Sequence, residues 1–225
     1  MDKSRTELLI GSEGLSKLAS KHITVVGIGG VGGVCAVMLA RAGVEKMKII
    51  DFDKVSASNI NRQIIAYNST IGKLKADVLK NMLLEINENI HLEVISEKLT
   101  ADNVSSLIGP TDVVIDAIDS LNDKISLIKF CKTHNINIIS AMGAGNRCDI
   151  PSFECVDIYK THNDGLAKVV RRKLREEGID SLEVVTTFSK AQSCGNTIGS
   201  ISYYPTMCGC TLSAVVINKI LEDKL

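Results

Sequence analysis

Four glycines in six residues, Gly27-Ile28-Gly29-Gly30-Val31-Gly32, sit between a β-rich run, His22 to Val26, and a small-residue stretch, Gly33 to Ala42, that stops at Gly43. Strand, glycine turn and helix in that order bring free backbone N–H groups, with the partial positive charge of a helix N-terminus, against a phosphate. Asp51 ends the next apolar run, Met47 to Ile50. It lies about twenty residues on, where a carboxylate can accept hydrogen bonds from both hydroxyls of a ribose. The competing reading is that the glycines only permit tight strand–helix packing; the acid at this spacing argues against it.

The rest of the chain alternates between the two periods of regular structure. Helical apolar spacing covers Gly72 to Glu88, through Leu74, Val78, Leu79, Met82, Leu83 and Ile86. His91 to Ile95 alternates as a strand, and Ala101 to Ile108 reads as a short helix with Thr100 as its N-cap. Val113 to Ile115, ending in Asp116, and Ile136 to Ser140 are continuous apolar runs, the pattern of parallel strands covered on both faces. Ile125 to His134 is helical between them. The expected fold is therefore α/β and Rossmann-like, a doubly wound, mainly parallel sheet.

After Gly143 the pattern changes. Phe153 to Ile158 and Leu182 to Phe188 read as strands, Gly165 to Glu177 as a basic helix, and 190–199 as a loop. Pro205 opens a last helix, about Thr206 to Leu221, at or near its first position. The expected organisation is one unit over residues 1–225, with a nucleotide half at 1–144 and a C-terminal substrate-side extension at 145–225.

Composition excludes several classes. No apolar run approaches the roughly 20 residues of a membrane span, and Met1 to Leu18 has no signal-peptide core. The seven cysteines include no C-x-x-C pair, so no zinc is expected. An odd number of thiols suits a reducing, cytoplasmic setting. The net charge of zero means that any nucleic-acid site must be a local patch.

The glycine loop and Asp51 do not by themselves separate a dinucleotide from ATP. A triphosphate with Mg²⁺ usually needs Lys and Arg in addition to backbone N–H groups. The sequence Asp51-Phe52-Asp53-Lys54-Val55-Ser56-Ala57-Ser58-Asn59-Ile60-Asn61-Arg62-Gln63 supplies an arginine directly after the acid, and Lys73-Leu74-Lys75-Ala76-Asp77 supplies lysines.

With its G-x-G-G-x-G loop, its D-x-D-x-V-x-x-S-N-x-x-R-Q stretch and a lysine in the next helix, the chain resembles the ubiquitin-activating-enzyme-like adenylating proteins. This group includes the molybdopterin and thiamine sulfur-carrier adenylyltransferases. The resemblance implies ATP and Mg²⁺. It implies that Gly30 meets the α-phosphate and Asp51 the ribose. Asn59, Arg62 and Lys75 would reach the phosphates, and Asp119 would hold the metal. Gly27, Gly29, Gly32, Asp53 and Gln63 fall in the same nucleotide-binding motifs. Arg5 matches an arginine that crosses from a partner subunit, which implies a homodimer. Arg62, Lys75, Asp119 and Arg5 are thus the expected catalytic set.

The C-terminal third narrows the substrate. Arg5 to Gly11, Asp116 to Ser120, Met142 to Gly145, Asp157 to Thr161 running into Gly165 to Arg172, and Gly199 to Pro205 are similar to the tRNA threonylcarbamoyladenosine dehydratases. Departures are Asp164-Gly165 where that branch usually shows Asp-Pro, and Cys148-Asp149-Ile150-Pro151 where Asp-Pro is usual. The resemblance implies adenylation of a threonyl carboxylate on a modified adenosine in tRNA, then cyclisation with net loss of water. No enzyme nucleophile is needed, and Cys148, Cys155 and Cys194 read as ordinary thiols. Lys168, Arg172 and Arg175 share one helix face with Arg171 adjacent. They are the candidate tRNA contact, although such runs are more often a solvated face. The runner-up is activation of a ubiquitin-like sulfur carrier, and a sulfur-transfer protein is a candidate partner. An NAD-dependent oxidoreductase and a non-catalytic nucleotide sensor are the remaining alternatives.

Overall fold

The computed structural model describes residues 1–192, 195 and 197–225, so Cys194 and part of the 190–199 loop lie outside it. Seven strands form one sheet: β1 (His22–Val26), β2 (Lys46–Ile50), β3 (His91–Ile95), β4 (Val113–Asp116), β5 (Asn137–Ala141), β6 (Glu154–Asp157) and β7 (Glu183–Thr186). Among the described residues their order is β3-β2-β1-β4-β5-β7-β6, with only β6 antiparallel to its neighbour. The expected doubly wound, mainly parallel architecture is what the chain adopts.

Alternation along the strands builds two cores. Ile23, Val25, Met47, Ile49, Val113 and Ile115 face the helices α1 (Ser4–Ser20), α2 (Gly32–Ala42), α3 (Lys75–Ile86) and α7 (Tyr203–Leu221). Val26, Ile50, Val114 and Ile138 face α4 (Val104–Ile108), α5 (Leu121–Thr133) and α6 (Gly165–Glu176). Burial on both faces makes these strands apolar throughout.

Register sets where the chain can bind a ligand. Val26 pairs with Ile50 on one side and with Asp116 on the other. The ladder runs one residue further, through Gly27 N–H to Ile50 O (2.9 Å) and Ala117 N–H to Val26 O (2.9 Å). Beyond that, the glycine loop turns to one face and the 117–120 segment to the other. Order reverses between β1 and β4, so the crevice opens at the carboxyl end of the sheet, where α/β sheets bind ligands.

Several boundaries differ from the sequence expectation. The first helix, α1, was not anticipated: Gly11, at φ 70°, breaks its regular turns and only Gly14 and Leu18 are buried, so its apolar periodicity is weak. The third helix begins at Lys75 rather than Gly72, because Gly72 takes φ +84° and Leu74 is extended. Thr100 is not an N-cap: α4 starts at Val104, and Thr100 donates its N–H to Asn103 Oδ1 at 2.7 Å. Pro205 is the third residue of α7, not its first. It is tolerated there because N–H groups of the first turn have no partner within the helix.

Candidate active site

A cavity of about 580 Å³ occupies the crevice, well within the roughly 300–1,000 Å³ of small-molecule sites. Its floor is the glycine loop. Gly29 and Gly30 line it, and space beside Gly29 is open. A side chain on Gly30 would press on Pro205 and on the Arg62 carbonyl at 3.1–3.2 Å. Gly27 also lines the cavity, and Gly27 and Gly32 both sit where close packing leaves no room for a side chain. Gly27 stands at φ +90°, with the Ala117 carbonyl 2.7 Å from where a Cβ would sit. Gly32, which is off the cavity wall, lies against the Gly27 carbonyl and the Ala117 methyl.

Asp51 is 8% exposed at the cavity edge. Its Oδ2 accepts the Ile28 N–H and its Oδ1 the Asp53 N–H, so the carboxylate ties the glycine loop to the end of β2. A carboxylate offers about four lone-pair positions, which leaves two for ribose hydroxyls. Burial pushes its pKa above the ordinary carboxylate value, while the Lys75 cation and the two N–H donors pull the other way.

The cations converge on the same space. Lys75, at the first position of α3, donates to Asp53 Oδ2 at 2.8 Å, and its side chain is 8% exposed. Asp53 thus neutralises a buried ammonium placed at the helix end where positive charge is least favourable. Arg62 is half-buried, with Nη1 on Ser58 O (2.7 Å) and Asn61 Oδ1 (2.8 Å). Gln63 lines the wall, and its Oε1 is buried with no partner among the described residues.

Asn59 is placed differently from the expectation of a phosphate contact. Its Oδ1 accepts the Ser56 N–H at 3.0 Å in a capping box, and it does not line the cavity. The S-N-x-x-R spacing that marks Asn59 here serves loop geometry, presenting Arg62 three residues on. Arg5 is exposed on α1 and away from this cavity.

Asp119 is exposed on the cavity wall just past β4, and its carboxylate has no partner among the described residues. No cluster of three or more metal-binding side chains occurs among those residues. Mg²⁺ does not require one, because it commonly takes one or two carboxylates together with phosphates and water. Asp119, exposed on the cavity wall with no partner among the described residues, fits that donor set.

Sequence reasoning missed three features of the site. Lys124 pairs with Asp116 beneath the 117–119 segment, both fully buried. Lys98 lies 5.9 Å from the Phe52 ring centroid and 3.4 Å from Asp123, forming the cavity rim beyond β3. Arg147 is 6% exposed behind the 143–145 wall.

The basic helix is only partly as expected. Lys168, Arg172 and Arg175 are exposed. Arg171 instead turns inward, donating Nη1 to Thr161 O at 2.7 Å and to the Thr161 hydroxyl. Arg175 lies 5.2 Å over the Tyr159 ring, and Arg172 stands 3.9 Å from Glu176. Among the cysteines, burial pushes the Cys155 thiol up, and Cys208 up to about 12, so neither has the low pKa of a nucleophile.

The ThiF family profile matches residues 3–224. A tRNA threonylcarbamoyladenosine dehydratase of Bacillus subtilis is 36% identical over 240 residues, spanning 98% of this chain and 94% of that protein. The crystal structure of Escherichia coli tRNA N6-threonylcarbamoyladenosine dehydratase, TcdA, in complex with ATP superposes with a TM-score of 0.94 at 31% identity, covering 98% of this chain and 94% of that one. The adenylyltransferase and sulfurtransferase MOCS3 of Anopheles gambiae is 34% identical, but over only 54% of this chain and 28% of its own length.

Proposed function

The chain belongs to the ThiF family, and from that premise we propose that it is an ATP-dependent tRNA threonylcarbamoyladenosine dehydratase. The observation that carries the reading is the meeting, in one cavity, of the glycine-loop amides, Asp51, the Lys75–Asp53 pair, Arg62 and an unpaired Asp119. Full-length likeness to the B. subtilis and E. coli dehydratases supports the substrate. The weaker, partial likeness to MOCS3 makes a sulfur-carrier substrate the lesser alternative.

In this reading the threonyl carboxylate attacks the α-phosphorus of ATP. Pyrophosphate leaves and an acyl adenylate forms. A neighbouring group of the same modified base then attacks the activated carbonyl, AMP departs, and the net change is loss of one water. Arg62 and Lys75 are fixed cations for the charge that grows on the departing oxygens. Asp119 would hold Mg²⁺, which when bound would neutralise phosphate charge beside it. Cyclisation needs proximity more than a protein nucleophile, and no cysteine among the described residues lines the cavity.

The halves 1–144 and 145–225 act as one unit, since β7 of the second pairs directly with β5 of the first. The protein acts as a homodimer in the cytoplasm. The exposed Arg5, one turn before Leu8 and Leu9 at 82% and 87% exposure, supports a partner packed on α1. The exposed Lys168, Arg172 and Arg175 contact the tRNA backbone. No helix among the described residues is long and apolar enough to cross a membrane.

Pyrophosphate release tests the proposal. With ATP and tRNA carrying the threonylcarbamoyl modification, release is expected; with a ubiquitin-like carrier ending in Gly-Gly, none. The reverse pattern would transfer the assignment to sulfur-carrier activation.

A further inference from the structure

Two buried charges that take no part in the proposed chemistry hold the substrate-side wall of the cavity from behind. Asp164 is 5% exposed. Its Oδ1 accepts the Ala167 N–H at 2.9 Å and so caps α6. Its Oδ2 accepts the Gly143 N–H at 2.8 Å and the Thr186 hydroxyl at 3.3 Å. Arg147 donates from Nη1 to the Gly143 and Gly145 carbonyls at 3.0 and 3.1 Å. From Nη2 it reaches the Asn163 carbonyl at 2.9 Å, and from Nε the Ser189 carbonyl at 3.0 Å.

Gly143 is therefore gripped at both of its polar groups, by Asp164 at N–H and by Arg147 at the carbonyl. The same guanidinium grips the residue that precedes Asp164. Gly143 and Gly145 line the cavity. Even a methyl group on Gly143 would come to 3.0 Å from Asp164 Oδ1. Burying a carboxylate and a guanidinium is costly unless nearly every donor and acceptor is used, and here they are spent on backbone groups and the Thr186 hydroxyl rather than on each other. The cost is spread over groups that join three segments: the cavity wall, the turn before the basic helix, and the end of β7.

We propose that Asp164 is a positioning residue. One of its oxygens starts α6 and the other holds Gly143, so a single carboxylate fixes the acceptor-side wall relative to the basic face. A polynucleotide docked on Lys168, Arg172 and Arg175 then presents its carboxylate in register with the α-phosphate. This rests on the reading above, in which tRNA is the substrate and α6 its dock.

Asp164→Asn separates the two jobs. Asn is about as good an N-cap as Asp, but its amide can offer an acceptor to only one of the two backbone donors. Amide hydrogen exchange reports which donor is released, with no substrate present. The expected result is faster exchange at Gly143, unchanged exchange at Ala167, and melting close to wild type. Turnover of modified tRNA should fall about tenfold or more, since a shift of about 1 Å in a reacting pair can cost a hundredfold. KM for ATP and Kd for tRNA should stay within about twofold. Thr186→Val, which removes only the hydroxyl donor to Oδ2, should reproduce a smaller part of the loss in kcat.

Unchanged turnover in Asp164→Asn overturns the proposal. So does a loss of turnover matched by a rise in the KM for ATP or by a collapse in melting temperature, which is the mark of a general structural defect. Wild-type protein that turns over no tRNA fails the functional reading and takes the docking half of the proposal with it. Gly143 exchange in the variant still decides whether Asp164 holds the wall.

Discussion

Lys124 Nζ lies 2.7 Å from Asp116 Oδ2, with both side chains fully buried at the carboxyl end of β4. The same ammonium donates to the Ala141 carbonyl at 3.1 Å, and Asp116 Oδ1 accepts the Ile118 N–H at 3.1 Å. One ion pair thus fixes the direction in which both cavity-lining segments, 117–119 and 141–145, leave the sheet. Removing one partner strands the other charge in the core. Lys124→Met is expected to lower unfolding free energy by about 3–5 kcal/mol, whereas replacing both partners by apolar residues of similar volume should cost much less. Denaturant titration of the two variants measures the difference.

Asp51 gives a pH dependence with a definite sign. Burial raises its pKa above the usual 3.8, so the native chain holds this proton more tightly than the unfolded chain. The stability that its protonated form contributes is present below 3.8 and is lost as pH rises through the raised value. Nucleotide binding runs the other way, because only the carboxylate can accept from both ribose hydroxyls. Titration calorimetry should show ATP affinity falling on acidification, beginning at a higher pH than an exposed carboxylate would give. Asp51→Asn should bind ATP weakly and lose that component of the pH profile.

The exposed face of α6 predicts an electrostatic signature. Three exposed cations, Lys168, Arg172 and Arg175, give a log–log salt slope for tRNA binding of about −2 to −3, at roughly 0.7–0.9 per phosphate contact. Charge reversal at Arg172 and Arg175 should weaken tRNA binding strongly and flatten the slope. ATP affinity, set at the other end of the cavity, should stay within about twofold. Arg171→Ala belongs to a different class: its Thr161 contacts predict a loss of stability rather than a change of slope.

Shared sites in a homodimer can be tested by complementation. Arg5 does not line the cavity of its own subunit, whereas Lys75 does. Mixing Arg5→Ala with Lys75→Ala subunits leaves one composite site with both cations if Arg5 serves its partner. Activity should then recover to about a quarter of wild type, because random pairing makes about half of the dimers mixed and each mixed dimer has one intact site of its two. No recovery despite demonstrated subunit exchange would mean that Arg5 acts elsewhere.

The nucleotide end of this site was legible because its chemistry uses fixed local spacings. A glycine turn between strand and helix, an acid at the end of the next strand, and Lys75 at the start of the next helix can be recognised within one stretch of chain. The wall behind the acceptor side was not legible. Asp164 and Arg147 act on backbone groups up to 42 residues away, and no local pattern announces such contacts. Lys124 did leave a trace: it falls in the stripe Lys124, Leu127, Ile128 and Cys131, a charge at a core position that must be paired. Asn59 was legible as a residue type but not in its placement: its carboxamide oxygen caps a turn, and it does not line the cavity. The α1 helix is hard to read from sequence because Gly11 interrupts it and its apolar residues Leu8 and Leu9 are exposed.

Oxygen tracing tests the adenylation claim most directly. Modified tRNA whose threonyl carboxylate carries ¹⁸O is incubated with the protein and unlabelled ATP, and the nucleotide products and digested nucleosides are weighed by mass spectrometry. Attack of the carboxylate on the α-phosphorus, followed by cyclisation, carries one labelled oxygen into AMP and leaves the modified nucleoside lighter by one water. Label in inorganic phosphate instead, or a nucleoside of unchanged mass after pyrophosphate release, would contradict the account.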